Sequence, residues 1–268
     1  MKKFINLSLN YKQLLLQNIK ILPYIFDVYF QRKYFCIFVN MWLIKNFIVI
    51  LYSLLVAILS ILICPFDYRN KLSNPLMKVW TNVVLFIYGI KVNVTGSENI
   101  DPSKGKIYIS NHASYMDIFV QLAKLPDNVR MIYKKEINRV PILGWAMYCA
   151  GFVALNRDKV REAMKSLDKA AERVRSGLSV VIYPEGTRTP DGKVGEFKKG
   201  MFFLADKSKA EIIPVSLQGT FEIMPIGSSR VKPGVVNMVI GKPIQYRKDK
   251  ELLGEIRDTV IKNLGSPQ

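Results

Sequence analysis

The chain has 268 residues, with 39 Lys and Arg against 21 Asp and Glu, for a formal net charge of +18 at pH 7. That length allows one catalytic domain plus a membrane-directed segment, with no second globular domain expected, and the charge suits either nucleic acid or an anionic lipid surface. A single histidine excludes a His-rich metal site, and three scattered cysteines, Cys36, Cys64 and Cys149, exclude a disulfide framework or a Cys-x-x-Cys metal site; they read as inert thiols in a reducing compartment.

Residues 1–46 carry seven Lys or Arg and one acid, Asp27, among Ile, Leu, Phe and Tyr. Such a segment suits the surface of an anionic membrane, although an irregular extension has the same composition. From Phe47 to Cys64 there are 18 residues without a charge, thirteen of them Ile, Leu, Val or Phe. As a helix they span roughly 27 Å, against a hydrocarbon core of about 30 Å. This decides between the two polyanions: membrane lipid is the expected partner and nucleic acid is not. The run starts too late, is too long and lacks the small-residue end of a cleaved signal peptide. A polar break, Cys-Pro-Phe-Asp-Tyr-Arg-Asn-Lys, then leads to Pro75 and a second mostly apolar stretch, Leu76 to Ile90. The pair suggests a helical hairpin dipping into one leaflet, with a single true span as the alternative. The expected division is a basic extension over 1–46, a membrane-associated hairpin over 47–90, and an α/β catalytic domain over 91–268.

From Lys91 onward strand-like runs recur at Val92 to Thr95, Ile107 to Ser110, Val129 to Tyr133, Phe152 to Leu155, Leu178 to Tyr183, Ile212 to Leu217 and Val235 to Ile240. Helical stretches lie between several of them, the clearest being Val160 to Ser176, closed by Gly177. The alternation predicts a layered α/β fold with a central mixed sheet. Ligand sites in such sheets lie beyond the carboxyl ends of strands.

His112, the only histidine, stands just past one such strand, in Ser110-Asn111-His112-Ala113-Ser114-Tyr115-Met116-Asp117. Ser114 reads as a helix N-cap with Asp117 at N3, as in a capping box, which keeps His112 in the loop and lets the Asp117 carboxylate fold back to it. An imidazole held through one ring nitrogen is free to take a proton on the other, and its ordinary pKa near 6.5 suits a general base at neutral pH. A plain capping box beside a surface histidine has the same spacing, and the spacing leaves both open.

Tyr183-Pro184-Glu185-Gly186-Thr187-Arg188 follows the strand with the strongest buried pattern. Gly186 lets a ligand approach the backbone, and the Thr187 hydroxyl and the Arg188 fork are donors suited to phosphate; Glu185 is placed to orient Arg188 or to accept from a substrate hydroxyl. A turn with an exposed arginine is the alternative. Arg157 ends another strand, and Lys134 and Lys135 a third. There is no Gly-x-x-x-x-Gly-Lys loop, HExxH or Gly-x-Ser-x-Gly elbow, which counts against NTPase, zincin and serine-hydrolase chemistry.

With these residues quoted, the chain resembles the glycerolipid acyltransferases, in particular the bacterial 1-acyl-glycerol-3-phosphate acyltransferases. Asn111 to Asp117 matches their Asn-His-x-Ser-x-x-Asp block; Gly151 to Arg157, Tyr183 to Arg188 and Ile213-Pro214-Val215 resemble the other three, in order. The resemblance covers about Phe47 to Ile244. It implies that His112 deprotonates the sn-2 hydroxyl of lysophosphatidate for direct attack on an acyl thioester, and that Asp117 orients the imidazole. It further implies that Arg157, Glu185, Gly186, Thr187 and Arg188 hold the glycerol phosphate and that Pro214 shapes the acyl side, with Asn111, Ser114 and Lys134 as further candidate site residues. No cofactor or metal is implied. The donor is acyl-CoA or acyl-carrier protein, the latter a candidate protein partner, and the expected location is the cytoplasmic membrane with the site facing the cytoplasm. Two alternatives remain: acylation of another lysophospholipid or an amino-acid lipid, and a non-catalytic binder of anionic lipid or nucleic acid.

Overall fold

A computed structural model of the chain describes residues 41–67, 70–156, 158–249 and 251–265. The chain divides into two compact units, 1–48 and 49–268. Of the first, only residues 41–48, the opening turns of helix α1, are described, so most of the expected basic extension and Cys36 lie outside the described residues.

Helix α1 (Met41–Phe66) is the one described helix long and apolar enough to cross a membrane. From residue 49 on, Val49, Val56 and Ser60 turn inward, while Ile50, Leu51, Leu54, Leu55, Ile58, Leu59 and Leu62 are exposed. An outward face this apolar belongs in lipid or against another protein. The helix closes in a tight turn at Cys64–Phe66. Asp67 then accepts the backbone N–H groups of Leu72 (2.7 Å) and Ser73 (2.9 Å), supplying acceptors to the otherwise unpaired first donors of α2 (Ser73–Tyr88).

Helix α2 is not a second copy of α1. It buries Met77, Val84, Leu85 and Tyr88, packs on α3 and β1, and leaves Val79 and Phe86 outward. Trp80 donates its indole N–H to Ser53 Oγ of α1 at 3.0 Å, so the two helices of the expected hairpin touch. The second apolar stretch is thus half taken up by the protein itself.

The remaining elements are β1 (Ile90–Thr95), β2 (Ile107–Ser110), α3 (Met116–Lys124), β3 (Val129–Lys134), α4 (Leu143–Cys149), β4 (Val153–Leu155), α5 (Val160–Arg175), β5 (Ser179–Ile182), α6 (Gly200–Ser208), β6 (Ile212–Gln218), α7 (Thr220–Ile223), β7 (Gly234–Ile240) and α8 (Leu252–Leu264). The strands form one seven-stranded sheet in the order β1-β7-β6-β2-β5-β3-β4. Five run parallel, and the antiparallel β6–β7 pair reverses β7 and its parallel neighbour β1. The expected layered fold with a mixed sheet is what forms, and each strand-like run is a strand.

Alternation along the strands sorts the core into two layers. Tyr108, Val181, Ile213 and Val215 face α2 and α3, while Ile107, Ile109, Val180 and Ile212 face α5, α6 and α8. A sheet covered on both faces explains the near-continuous apolar runs of β2, β5 and β6. At the amino ends of β2 and β5 a buried polar knot ties the layers. Asp127 Oδ2 lies 3.2 Å from Lys106 Nζ and accepts the hydroxyls of Tyr108 (2.8 Å) and Ser179 (2.6 Å). Burial, with the Asp127 charge adding, pushes the Tyr108 hydroxyl well above the usual tyrosine range.

Candidate active site

The opposite, carboxyl end of β2 opens into the histidine loop. Asn111 locks the loop to the neighbouring strand: its side-chain NH₂ donates to Leu217 O and its Oδ1 accepts from Leu217 N–H, both at 2.9 Å. Ser114 Oγ donates to Met224 O (2.8 Å) and accepts from Met116 N–H (3.1 Å). The hydroxyl is therefore turned toward the segment after α7 and caps Met116 N–H where a capping box would cap Asp117 N–H, and α3 begins at Met116 with Asp117 in its first turn.

Asp117 does fold back. Its Oδ2 accepts the N–H groups of Ala113 and Ser114, each at 2.8 Å, and stands 2.8 Å from His112 Nδ1. An oxygen already accepting two donors assigns the imidazole proton to Nδ1, leaving the lone pair on Nε2 in the neutral ring. The carboxylate is fully buried while the imidazole keeps 15% of its side-chain surface. The ring also lies on the Tyr183 ring, centroids 3.9 Å apart and 14° from parallel. Burial and the Asp117 charge raise the Tyr183 hydroxyl well above its usual range, so it stays protonated beside the carboxylate. Imidazole and acid are thus fixed from two sides.

Glu185 departs from the sequence expectation. Its Oε1 accepts His112 N–H (2.8 Å) and its Oε2 accepts Gly195 N–H (3.1 Å), so it braces the histidine loop from below. Burial raises its pKa, the two N–H donors oppose the rise, and the Asp117 charge adds to it. The folded chain therefore holds that proton more tightly than the unfolded one, and ionisation becomes a cost as pH rises through the ordinary Glu range, of which the two N–H donors offset a part.

Arg188 is brought to the same mouth. Its guanidinium lies over the Tyr115 ring, 3.6 Å from the centroid, and its buried Nη1 has no hydrogen-bond partner. A stacked guanidinium with an unused buried donor is suited to an anion. Gly186 has φ +80, and a Cβ there would come within 3.1 Å of Lys198 Nζ, which adds a cation the sequence did not single out. Thr187 is exposed. Lys134 ends β3, exposed and 3.8 Å from Glu136, and Lys135 pairs with Glu162 at 2.9 Å. Arg157 lies outside the described residues. Pro214 sits buried within β6, opposite Ile109 in the register; Gly241 N–H donates to its carbonyl. Among the described residues no cluster of three His, Cys, Asp or Glu is placed to hold a metal. The stacking roles of Tyr183 and Tyr115 and the approach of Lys198 to Gly186 were missed because contacts across loops carry no spacing signal.

The structure thus sets a histidine and an aspartate five residues apart, in contact, beyond the carboxyl end of a central strand of a mixed sheet. The chain belongs to the acyltransferase family: residues 91–218 match the family described as Acyltransferase. A 1-acyl-sn-glycerol-3-phosphate acyltransferase of Limnanthes douglasii is 32% identical over 228 residues, 82% of this chain and 80% of that protein. The chloroplastic LPAT1 of Arabidopsis thaliana, carrying the same description, is 37% identical over 199 residues, 74% of this chain but 55% of that protein; the chain spans little more than half its length. The crystal structure of the 1-acyl-sn-glycerophosphate acyltransferase PlsC from Thermotoga maritima superposes with a TM-score of 0.69 at 28% identity, covering 82% of this chain and 95% of that one.

Proposed function

We propose that the protein transfers a fatty acyl group from an acyl thioester to the sn-2 hydroxyl of 1-acyl-glycerol-3-phosphate, giving phosphatidic acid. The observation that carries this reading is the 2.8 Å contact of the sole histidine with the buried Asp117. His112 Nε2 takes the hydroxyl proton as the oxygen attacks the thioester carbonyl. The C–O bond forms, the C–S bond breaks, and the proton passes to the departing thiolate. A thioester is already activated, so a base and positioning suffice and no protein nucleophile is needed. Asp117 holds the ring and stabilises the imidazolium. Arg188, Gly186, Thr187 and Arg157 hold the glycerol phosphate, Lys134 adds to the field, Glu185 and Asn111 position the loop, and Pro214 lies toward the acyl side. No cofactor takes part; the donor is acyl-CoA or acyl-carrier protein.

The membrane arrangement belongs to the same reading: 1–46 a basic extension, 47–90 the membrane-seated segment, 91–268 the catalytic domain, at the cytoplasmic membrane with the site on the cytoplasmic side. The exposed apolar face of α1 supports it. A chain lacking 1–40 is expected to stay with membranes in a flotation assay, and one lacking 1–66 to leave them for low-salt buffer or aggregates. Release by the shorter deletion alone would make the basic extension the anchor.

Arg188 tests the acceptor. Charge-assisted bonds to phosphate predict that Arg188→Ala costs about 1.5 to 3 kcal/mol in kcat/KM for lysophosphatidate, roughly ten- to 150-fold. Arg188→Lys keeps the charge without the fork and recovers part of it. Monoacylglycerol, which has no phosphate, is expected to be a poor substrate hardly worsened by the mutation; equal losses on both acceptors would remove Arg188 from the phosphate site.

A further inference from the structure

The sixteen residues from Val140 to Leu155 carry no charge, and the site described above uses none of them. They include α4, whose exposed side chains are Leu143, Trp145 and Tyr148, with Val140 exposed just before it. Gly144, Ala146 and Ala150 turn inward. Trp145 is 63% and Tyr148 73% exposed, unusual for large rings on a helix with no polar outer face. Ile142 enters the helix with φ +66, a conformation costly for a β-branched residue. Gly144 packs so closely on Asn138 that a Cβ there would stand 2.7 Å from its backbone. The chain is thus held in a strained turn that presents these rings outward.

Two observations say what covers them. The first is continuity with α1. The side chain of Asn70, in the turn that follows α1, donates to Cys149 O at 3.3 Å, and a Cβ on Gly151 would meet Asn70 Oδ1 at 2.4 Å. The carboxyl end of α4 therefore abuts the segment just after α1, whose last turn leaves Phe66 exposed. The second is charge. The segment leading into α4, Lys134 to Arg139, holds three basic residues against one acid; Lys134 and Lys135 face Glu136 and Glu162, and Arg139 is exposed. Trp and Tyr rings rimmed by Lys and Arg are the composition of the membrane–water interface on an anionic leaflet.

We infer that α4 is a second membrane contact, an interfacial patch in which Trp145, Tyr148 and Leu143 enter the headgroup region of an anionic bilayer beside α1. Seven residues of helix reach only about 10 Å, so α4 lies in the interface and does not cross it. It starts from the carboxyl end of β3, the end of the sheet at which His112 stands. A single contact leaves a domain free to pivot about it, whereas a further contact at the β3–β4 side of the sheet sets how the domain meets the lipid. The inference rests on the reading of α1 as membrane-seated.

The test uses the full chain in vesicles of phosphatidylcholine and phosphatidylglycerol, with part of the phosphatidylcholine brominated on its acyl chains either near the headgroup or at the chain ends. The three tryptophans are Trp42, Trp80 and Trp145. Comparing wild type with Trp145→Phe, an exposed and conservative change, isolates the emission of Trp145; Trp42→Phe does the same for α1. The expected result is loss of the Trp145 emission, deeper with bromine near the headgroup than at the chain ends. Loss of Trp42 emission without loss of Trp145 emission overturns the α4 contact, leaves α1 in the membrane and turns the patch over to a protein partner. No loss from either overturns both readings. Loss from Trp145 alone keeps α4 at the lipid and removes α1 from it.

Discussion

His112→Ala is expected to lower kcat by about 10² to 10⁴, the range for loss of a general base, while circular dichroism and membrane association stay as in the wild type. The imidazole is partly exposed and its deletion leaves only Asp117 short of one donor, since Ala113 and Ser114 still satisfy Oδ2. With no other histidine in the chain, nothing nearby can stand in. More than one tenth of wild-type activity would remove His112 as the base. The sign of the pH dependence follows from the same geometry: only the neutral ring has a lone pair on Nε2, so activity rises as the ring deprotonates. A protein-bound acyl group released by hydroxylamine would point instead to a covalent route.

Asp127→Ala is expected to destabilise the fold by about 3 to 5 kcal/mol, the cost of stripping one partner from a buried ion pair. Lys106 is 1% exposed and Asp127 4%, and the substitution also strands the hydroxyls of Tyr108 and Ser179. The measurement is a denaturant midpoint in detergent. Replacing Lys106 with Met together with Asp127 with Leu is expected to recover much of the loss, because a volume-matched apolar pair leaves no orphaned charge. The knot stands at the amino ends of β2 and β5 and His112 beyond the carboxyl end of β2, so turnover per folded molecule is expected to survive the change. A loss of turnover in correctly folded protein would couple the two ends of the sheet.

Period and punctuation made the sheet legible. Each strand is an apolar run of the right length bounded by turn residues, and Gly177, with φ +97, closes α5 where its position implied. The order of the strands and the reversal of β1 and β7 were not legible, because they depend on which edges pair, β1 with β7 and β2 with β6 across more than a hundred residues. At the site, the spacing of His112 and Asp117 allowed their contact to be read because it is local, while leaving a plain capping box beside a surface histidine equally open. Glu185 was placed on the right loop but with the wrong partner, since its target is a backbone N–H 73 residues away and such donors leave no mark in sequence. The hydrogen bond from the Ser114 hydroxyl to Met224 O was not legible for the same reason, its partner lying 110 residues along the chain. Helix α2 shows the limit of composition, as an apolar stretch reads alike whether its face meets lipid or α3.

The most direct measurement supplies the purified full chain, in lipid or detergent, with a labelled acyl thioester and separately with lysophosphatidate, lysophosphatidylcholine and lysophosphatidylglycerol. Phosphatidic acid labelled at sn-2 is the expected product, formed from lysophosphatidate and lost with His112→Ala. Product from lysophosphatidylcholine or lysophosphatidylglycerol in preference to lysophosphatidate, or acyl transfer undiminished by His112→Ala, would contradict it.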